Sequence, residues 1–293
     1  MPNVVVSPEV SIAYETFGDP ENPPVLLVMG FGAQMLAWHE DFCRALADRG
    51  RYVIRYDNRD CGLSTKFDEH PVDMGKFIAT VSSGDIPAAL AMVPYRLRDM
   101  ADDGLGLLTA LGIECAHVVG TSMGGMIAQT MALSSPERVL TLTSMMSSTG
   151  ENEYGQSSPE AQAALFTPKP ADREGYVAAA EKELVWGSKR YGDVAALREL
   201  AAASYDRSYY PAGIGRQLGA MILSGSRADA LRKLRVPTLV IHGLDDTLIA
   251  PSGGRRTAEL VPDAELLLIP DMGHDRPREL WPELISAVVS HTG

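Results

Sequence analysis

The stretch His117-Val118-Val119-Gly120-Thr121-Ser122-Met123-Gly124-Gly125-Met126 decides how this chain folds. Residues 115–119 are predicted to form a short buried strand, and residues 123–135 a helix of small and apolar residues. Between them lies the pattern Gly120-x-Ser122-x-Gly124. A serine at the apex of such a sharp turn presents its hydroxyl clear of both elements, and glycine at the flanking positions avoids steric clashes. The pattern therefore predicts Ser122 as a nucleophile, beside the free N–H groups of a helix N-terminus.

Another glycine turn, which we call the first glycine turn because it comes earlier in the chain, follows an apolar run. Residues 25–29, VLLVM, are uninterrupted, as expected of a strand buried on both faces. The run ends in Gly30-Phe31-Gly32, where the backbone can turn and leave an N–H group pointing into a cleft. We expect the N–H groups of Phe31 and Met123 to form an oxyanion hole, with Gly30 and Gly32 bordering the substrate. An ordinary strand-ending turn is the alternative, but the serine turn favours the functional interpretation.

A serine hydroxyl needs a base to take its proton and an acid to orient that base. In a strand-turn-helix architecture of this kind the partners follow in the order Ser, Asp or Glu, His. His274 lies on a glycine-flanked turn after an apolar strand, whereas His291 lies at the C-terminal end, so His274 is the predicted base. Asp245 and Asp246 compete for the role of acid. We prefer Asp246, which begins an Asp-x-x-x-x-Pro segment, and Asp245 stays open.

The composition restricts the class of function. The chain has 293 residues, of which 45% are apolar and 22% charged, and its net charge is −12. A strongly acidic chain without basic clusters is a poor partner for nucleic acid or for an anionic membrane. The N-terminal residues lack the pattern of a signal peptide, and no apolar run approaches the roughly 18 residues of a membrane span.

The remaining histidines and the cysteines predict no metal site and no cofactor. His39-Glu40 lacks the second histidine of a zinc-binding HExxH pattern, and His242 is interpreted as a structural histidine. The three cysteines, Cys43, Cys61 and Cys115, are sparse and odd in number, which favours reduced thiols and a cytoplasmic location. Cys61 has no evident activating group, so we do not expect it to be reactive.

The order of elements predicts two domains. Strands and helices alternate along the first half of the chain, which is typical of a parallel sheet with helices on both faces. The alternation stops near residue 147, and residues 147–230 show helical patterns only. We predict a core domain of residues 1–146 and 231–293 and a helical cap of residues 147–230. Residues 66–97 are expected to form a loop with a short helix.

The predicted cap holds eight of the 19 aromatic residues. Aromatic residues at helical spacing usually belong to a core. We nevertheless assign Trp186 to the substrate pocket.

Five segments give the chain a resemblance to a known family. It resembles the α/β-hydrolase superfamily of serine hydrolases over nearly its whole length, and within it the aclacinomycin methylesterase-like esterases. The segments are VLLVMGFG at 25–32, YDNRDCGLST at 56–65, HVVGTSMGGMIAQ at 117–129, VPTLVIHGLDDTLIAP at 236–251 and IPDMGH at 269–274. The resemblance implies a mostly parallel eight-stranded sheet with an inserted cap and a Ser-His-Asp triad. The chain departs from the methylesterases in the cap and in residues 66–97, the two parts that select the substrate.

The predicted function is hydrolysis of a small-molecule carboxylic ester with an apolar or aromatic group, through an acyl-enzyme and without a cofactor. Perhydrolysis, as in cofactor-free haloperoxidases, and amide cleavage, as in proline iminopeptidases, are alternatives on the same triad. Glu151, Glu153, Glu181 and Glu183 in the predicted cap could grip the amine of an aminopeptidase substrate. A third possibility is a ligand receptor on a hydrolase fold.

Overall fold

The computed structural model describes residues 2–293 and joins eight strands into one sheet. The strands in chain order are β1 (Asn3–Ser7), β2 (Val10–Phe17), β3 (Pro24–Val28), β4 (Tyr52–Tyr56), β5 (Ala116–Thr121), β6 (Val139–Met145), β7 (Thr238–Gly243) and β8 (Glu265–Ile269). Their spatial order is β1-β2-β4-β3-β5-β6-β7-β8. Strand β2 runs antiparallel to β1 and β4, and all other neighbours are parallel. The predicted mostly parallel eight-stranded sheet is confirmed.

Helices connect the strands from β3 onward, whereas turns join β1 to β2 and β2 to β3. They are α1 (Glu40–Ala47), α2 (Met74–Ser82), α3 (Ile86–Ala91), α4 (Leu97–Ala110), α5 (Met123–Ser134), α6 (Pro159–Phe166), α7 (Arg173–Ala179), α8 (Val194–Ser208), α9 (Ala212–Ser224), α10 (Ala228–Leu231), α11 (Ser252–Leu260) and α12 (Trp281–His291). Short 3₁₀ helices cover Met35–Ala37, Pro136–Arg138, Ala180–Val185 and Arg278–Leu280.

The sheet has an apolar core on each face, and β3 contributes to both. Leu26 and Val28 pack in one cluster, with residues of α4 and α5. Val25 and Leu27 pack in the other, with residues of α1 and α12. Because successive side chains of a strand point to opposite faces, a strand covered on both sides needs an uninterrupted apolar run. This explains why β3 lacks the alternation of an exposed strand.

Two sequence predictions need correction at this level. The helix predicted over residues 38–49 begins only at Glu40, because the His39 ring caps it by accepting a hydrogen bond from the Asp41 N–H at 3.0 Å. Trp38 therefore precedes the helix, although it is fully buried. The single short helix expected within residues 66–97 is in fact a pair, α2 and α3, each capped by an aspartate side chain.

Residues 147–230, all within the described part of the chain, contain helices and no strand. Two ion pairs with fully buried carboxylates join this segment to the turn after β4: Arg207 to Asp57 at 2.7 Å and Arg216 to Asp60 at 2.8 Å. The division into a core domain and a cap remains a prediction. Residue 1, which was assigned to the core domain, lies outside the described residues. None of the helices within residues 2–293 has the length and apolar character needed to cross a bilayer.

The turn between β5 and α5 is packed at backbone contact. A methyl group on Gly120 would overlap the Gly124 carbonyl, and one on Gly124 would overlap the carbonyl oxygen of Val28. Neither neighbour is a flexible side chain that could move aside. Glycine is therefore required at both positions for the helix to start directly over the end of β3.

We expect Gly124→Ala to lower the free energy of unfolding by more than about 3 kcal/mol, because the added methyl group must displace the β3 backbone. Gly75→Ala is the control, since Gly75 is exposed within α2 and an added methyl group would meet only ordinary contacts. That variant should match the wild type or gain up to about 1 kcal/mol. Urea unfolding followed by circular dichroism measures both. Equal midpoints for Gly124→Ala and the wild type would contradict the packing described.

Candidate active site

Ser122 occupies a strained position at the apex of the β5–α5 turn. Its φ is 56° and its ψ is −123°, a combination that non-glycine residues rarely adopt. The backbone of the residue is held on both sides: its N–H donates to the Met145 carbonyl at 3.0 Å, and its carbonyl accepts from the Ser147 hydroxyl at 2.8 Å and from the first turn of α5. The half-buried Ser122 hydroxyl has no hydrogen-bond partner within residues 2–293. The backbone is thus fixed while the hydroxyl is left free.

His274 and Asp246 are brought together from the turns after β8 and β7. The Nδ1 atom of His274 lies 2.7 Å from Oδ2 of Asp246. The other carboxylate oxygen accepts hydrogen bonds from the N–H groups of Leu248 at 2.9 Å and Ile249 at 2.8 Å. Because an ionised carboxylate only accepts, Nδ1 of His274 carries the proton of this contact, and in the neutral ring Nε2 keeps its lone pair.

The carboxylate of Asp246 is ionised although it is buried. Burial alone raises the pKa of a carboxyl group, but the charge of His274 and hydrogen bonds from His242 and His274 outweigh it and lower the pKa of Asp246 to about 2. The neighbouring Asp245 is held by its backbone, whose N–H donates to the Met272 carbonyl at 2.9 Å. The structure thus brings Asp246, and not Asp245, to His274.

His242 contacts the same carboxylate, which the sequence did not suggest. The ring is fully buried, and its Nε2 lies 2.8 Å from the Ile249 carbonyl and 3.4 Å from Oδ2 of Asp246. Its Nδ1 faces Gly254 and has no partner within residues 2–293. A strand-ending histidine four residues before an aspartate is the only sequence signal for this contact.

Arg276 connects the turn that bears His274 to the end of β5 and to the 3₁₀ helix Met35–Ala37. Its guanidinium donates to the Thr121 hydroxyl at 3.1 Å, next to Ser122, and to the Ala37 carbonyl at 2.7 Å. It also stacks over the Trp38 ring, with 4.3 Å from Cζ to the centroid. Burial lowers the pKa of Arg276 to about 10, so the group remains charged at neutral pH. No motif in the sequence pointed to this residue.

The segment containing Trp186 packs directly against the histidine turn. The Trp186 carbonyl accepts a hydrogen bond from the His274 N–H at 2.6 Å. The hydroxyl of Ser188 accepts from the Gly273 N–H at 3.0 Å and donates to Asp275 at 2.5 Å. Trp186 is therefore adjacent to His274 through its backbone, and the predicted role of its ring in binding substrate stays a prediction.

The first glycine turn lies beside Ser122. A methyl group on Gly30 would stand 3.1 Å from Cβ of Ser122. The N–H groups of Phe31 and Met123 find no acceptor within residues 2–293. Two such donors, a free hydroxyl and an oriented imidazole are the parts needed for acyl transfer. Their roles as an oxyanion hole remain a prediction.

The thiols and the acidic groups suggest no other chemistry near this site. Burial raises the pKa of Cys61 to about 12, with a further contribution from the Asp57 charge, and burial raises the pKa of Cys43 to about 12. Both thiols are therefore protonated at neutral pH. Among residues 2–293, no three His, Cys, Asp or Glu side chains are grouped so that they could hold a metal ion.

The chain is similar to known hydrolases over most of its length. The family described as alpha/beta hydrolase fold matches residues 23–275. The chain is 28% identical to rhodomycin D methylesterase DauP of Streptomyces sp. (strain C5), over 99% of this chain and 97% of the relative. It is 28% identical to the putative carbamate hydrolase RutD of Variovorax paradoxus, over 89% and 88% of the two chains. The crystal structure of a hydrolase from Pseudomonas aeruginosa PA01 superimposes with a TM-score of 0.72 at 25% identity, covering 100% of this chain and 98% of the other.

The depressed pKa of Asp246 predicts a specific acid sensitivity. The ionised carboxylate contributes stability above the pKa of an unfolded aspartate, about 3.9, and this contribution is lost as the pH falls towards 2. Between those values the wild type should lose about 2 kcal/mol more than Asp246→Asn. Asp245→Asn, which leaves the contact with His274 intact, should retain the wild-type dependence. Urea unfolding at a series of pH values tests this, and parallel curves for wild type and Asp246→Asn would refute it.

The protonated, buried state of two thiols predicts unequal reactivity. Cys115 is only half-buried, whereas Cys43 and Cys61 are buried. At about pH 8 the folded protein should react rapidly with dithionitrobenzoate at Cys115 alone, and all three thiols should react in concentrated guanidinium chloride. Rapid reaction in the folded Cys115→Ser variant would show that a buried thiol is accessible.

Proposed function

Since the chain belongs to the alpha/beta hydrolase family, we propose that it is a serine hydrolase that cleaves carboxylic esters. The observation that carries the proposal is the contact of 2.7 Å between His274 and Asp246. Arg276 ties the turn that bears His274 to Thr121, the residue before Ser122. The imidazole thus has one nitrogen engaged with a carboxylate and the other free, as a general base requires.

In the proposed reaction the Ser122 hydroxyl attacks the ester carbonyl and its proton passes to Nε2 of His274. Asp246 stabilises the imidazolium that forms. The carbonyl oxygen becomes an oxyanion that accepts hydrogen bonds from the N–H groups of Phe31 and Met123. The intermediate collapses as His274 protonates the departing alcohol. Water, deprotonated by the same imidazole, then attacks the acyl-enzyme, and Ser122 recovers its proton as the acid leaves.

We propose a methyl ester of a bulky apolar or aromatic acid as the substrate class. Support comes from the similarity to a rhodomycin D methylesterase, which extends over 99% of this chain. Three half-buried tyrosines in the predicted cap, Tyr176, Tyr205 and Tyr209, pack together with centroids 4.7–5.7 Å apart. Ile214 is 43% exposed and adjoins Gly32, so an apolar group could rest beside the first turn.

Cleavage of a C–N bond on the same residues is the second candidate. It is favoured by the similarity to a putative carbamate hydrolase over 89% of this chain. The mechanism would be the same, with His274 protonating a departing amine.

The three unpaired cysteines are compatible with a reducing compartment, and the cytoplasm remains the predicted location.

Ser122→Ala should fold normally and lose esterase activity by about 10⁴-fold or more in kcat/KM, because the attacking oxygen is removed. Ser134→Ala is the control, since Ser134 lies at the other end of α5 and bonds only to the Met131 carbonyl. Hydrolysis of p-nitrophenyl esters measures the loss. In addition, mass spectrometry should show that a fluorophosphonate labels the wild type and does not label Ser122→Ala. A Ser122→Ala variant with wild-type turnover would refute the proposal.

The assignment of Asp246, rather than Asp245, as the acid of the triad is tested by comparing the two asparagine variants. Asp246→Asn should lower kcat by about 10⁴-fold, because an amide can no longer fix the tautomer and charge of His274. Asp245→Asn should lower kcat by less than about threefold, since its side chain does not contact His274. The same ester assay, run on methyl esters and on matched anilides, compares the variants and ranks the two candidate reactions. Equal losses in the two variants would overturn the assignment of Asp246.

A further inference from the structure

We propose that Gln217 and Asn58 are positioning residues that fix the peptide group whose N–H, that of Phe31, binds the oxyanion. This inference rests on the proposed function. Neither residue belongs to the predicted triad or the predicted oxyanion hole, and they come from different parts of the chain. Gln217 lies on α9, and Asn58 lies in the turn after β4.

Gln217 holds the first glycine turn from one side. Its Oε1 accepts a hydrogen bond from the Gly32 N–H at 2.9 Å. Its Nε2 donates to the Arg59 carbonyl at 2.9 Å, so both ends of the carboxamide are engaged. The residue is 1% exposed. A buried carboxamide satisfied at both ends has one orientation, which makes it a rigid support.

Asn58 holds the same turn from the other side. Its Nδ2 donates to the Met29 carbonyl at 2.9 Å, and the side chain is 1% exposed. Since Asn58 and Arg59 are consecutive, the contacts form a closed circuit. It runs from Met29 through Asn58 and Arg59 to Gln217 and back to Gly32.

The circuit encloses the peptide group that carries the proposed donor. The Phe31 N–H belongs to the peptide between Gly30 and Phe31. The peptide before it is held at the Met29 carbonyl, and the peptide after it is held at the Gly32 N–H. Glycine on both sides leaves soft backbone dihedrals, and Gly32 has a φ of +65°. The backbone bond across this peptide, from the Ala33 N–H to the Gly30 carbonyl, is long at 3.4 Å. The side chains of Gln217 and Asn58 therefore add rigidity that this bond supplies only weakly.

The expected consequence is a loss of transition-state stabilisation. An oxyanion donor acts by being oriented before the charge develops, and removing one costs about 10²–10³-fold in kcat. Letting the donor reorient should cost less, and we expect Gln217→Met to lower kcat by about 10–100-fold with KM changed less than about threefold. An aryl trifluoromethyl ketone should lose affinity in parallel. It forms a bond to Ser122 Oγ while the serine proton passes to His274, and its carbonyl oxygen becomes the oxyanion.

Gln129→Met is the matched control. Gln129 is a fully buried glutamine on α5 that is bonded at both ends, to the Ser144 hydroxyl and to Arg227, each at 3.0 Å. It should lose comparable stability without a selective loss of affinity for the ketone. Equal losses of ketone affinity in Gln217→Met and Gln129→Met would overturn the positioning role. If Gln217→Met fails to fold, Asn58→Leu removes the opposite support and is assayed in the same way.

Amide hydrogen exchange tests the inference without reference to activity. The peptide that covers residues 29–33 should exchange faster in Gln217→Met and in Asn58→Leu than in the wild type, and not in Gln129→Met. Unchanged exchange in both variants would overturn the inference. A wild-type protein that neither hydrolyses esters nor takes up a fluorophosphonate would instead refute the proposed function, and the exchange experiment would still decide whether these side chains fix the turn.

Discussion

The structure depends on the backbone contact at the β5–α5 turn. Gly124 lies against the carbonyl of Val28 and Gly120 against that of Gly124, so the helix starts at van der Waals distance from the end of β3. At this turn Ser122 has a positive φ and lies beside Gly30, in the turn that follows β3. The strain of about 1–3 kcal/mol that such a conformation costs is offset by the packing and hydrogen bonds around it.

Electrostatic interactions around the buried carboxylate of Asp246 position the second group of site residues. The carboxylate of Asp246 is buried, and such a group stays ionised only where hydrogen bonds and opposite charge replace the water it has lost. Two backbone N–H groups and the His274 ring supply this environment, and Nε2 of His242 adds to it at 3.4 Å from the carboxylate. Arg276 then connects the turn that bears His274 to Thr121 and Ala37, so three segments at the carboxyl ends of the strands are joined by one side chain.

The helical segment 147–230 is also joined to the turns of the site. Trp186 and Ser188 bond to the histidine turn, and Gln217 bonds to the first glycine turn. The ion pairs of Arg207 and Arg216 with Asp57 and Asp60 join the segment to the turn after β4. Buried ion pairs are costly to break one partner at a time, so this attachment favours a segment that stays in place during turnover. A predicted cap that also braces the reacting groups would link the choice of substrate to the rate of reaction.

The sequence by itself determined the sheet and the order of its turns, because buried strands, helix periodicity and glycine turns are local signals that chain order then links. It predicted Ser122 and His274 as site residues, because the position of each follows from one strand and one turn. It could prefer Asp246 over Asp245 but not decide, since adjacent side chains differ only in where the folded turn directs them. Only the tertiary structure brought Gln217 and Arg276 to the site. Their partners lie 185 and 155 residues away along the chain, and no local pattern records a contact over such a separation.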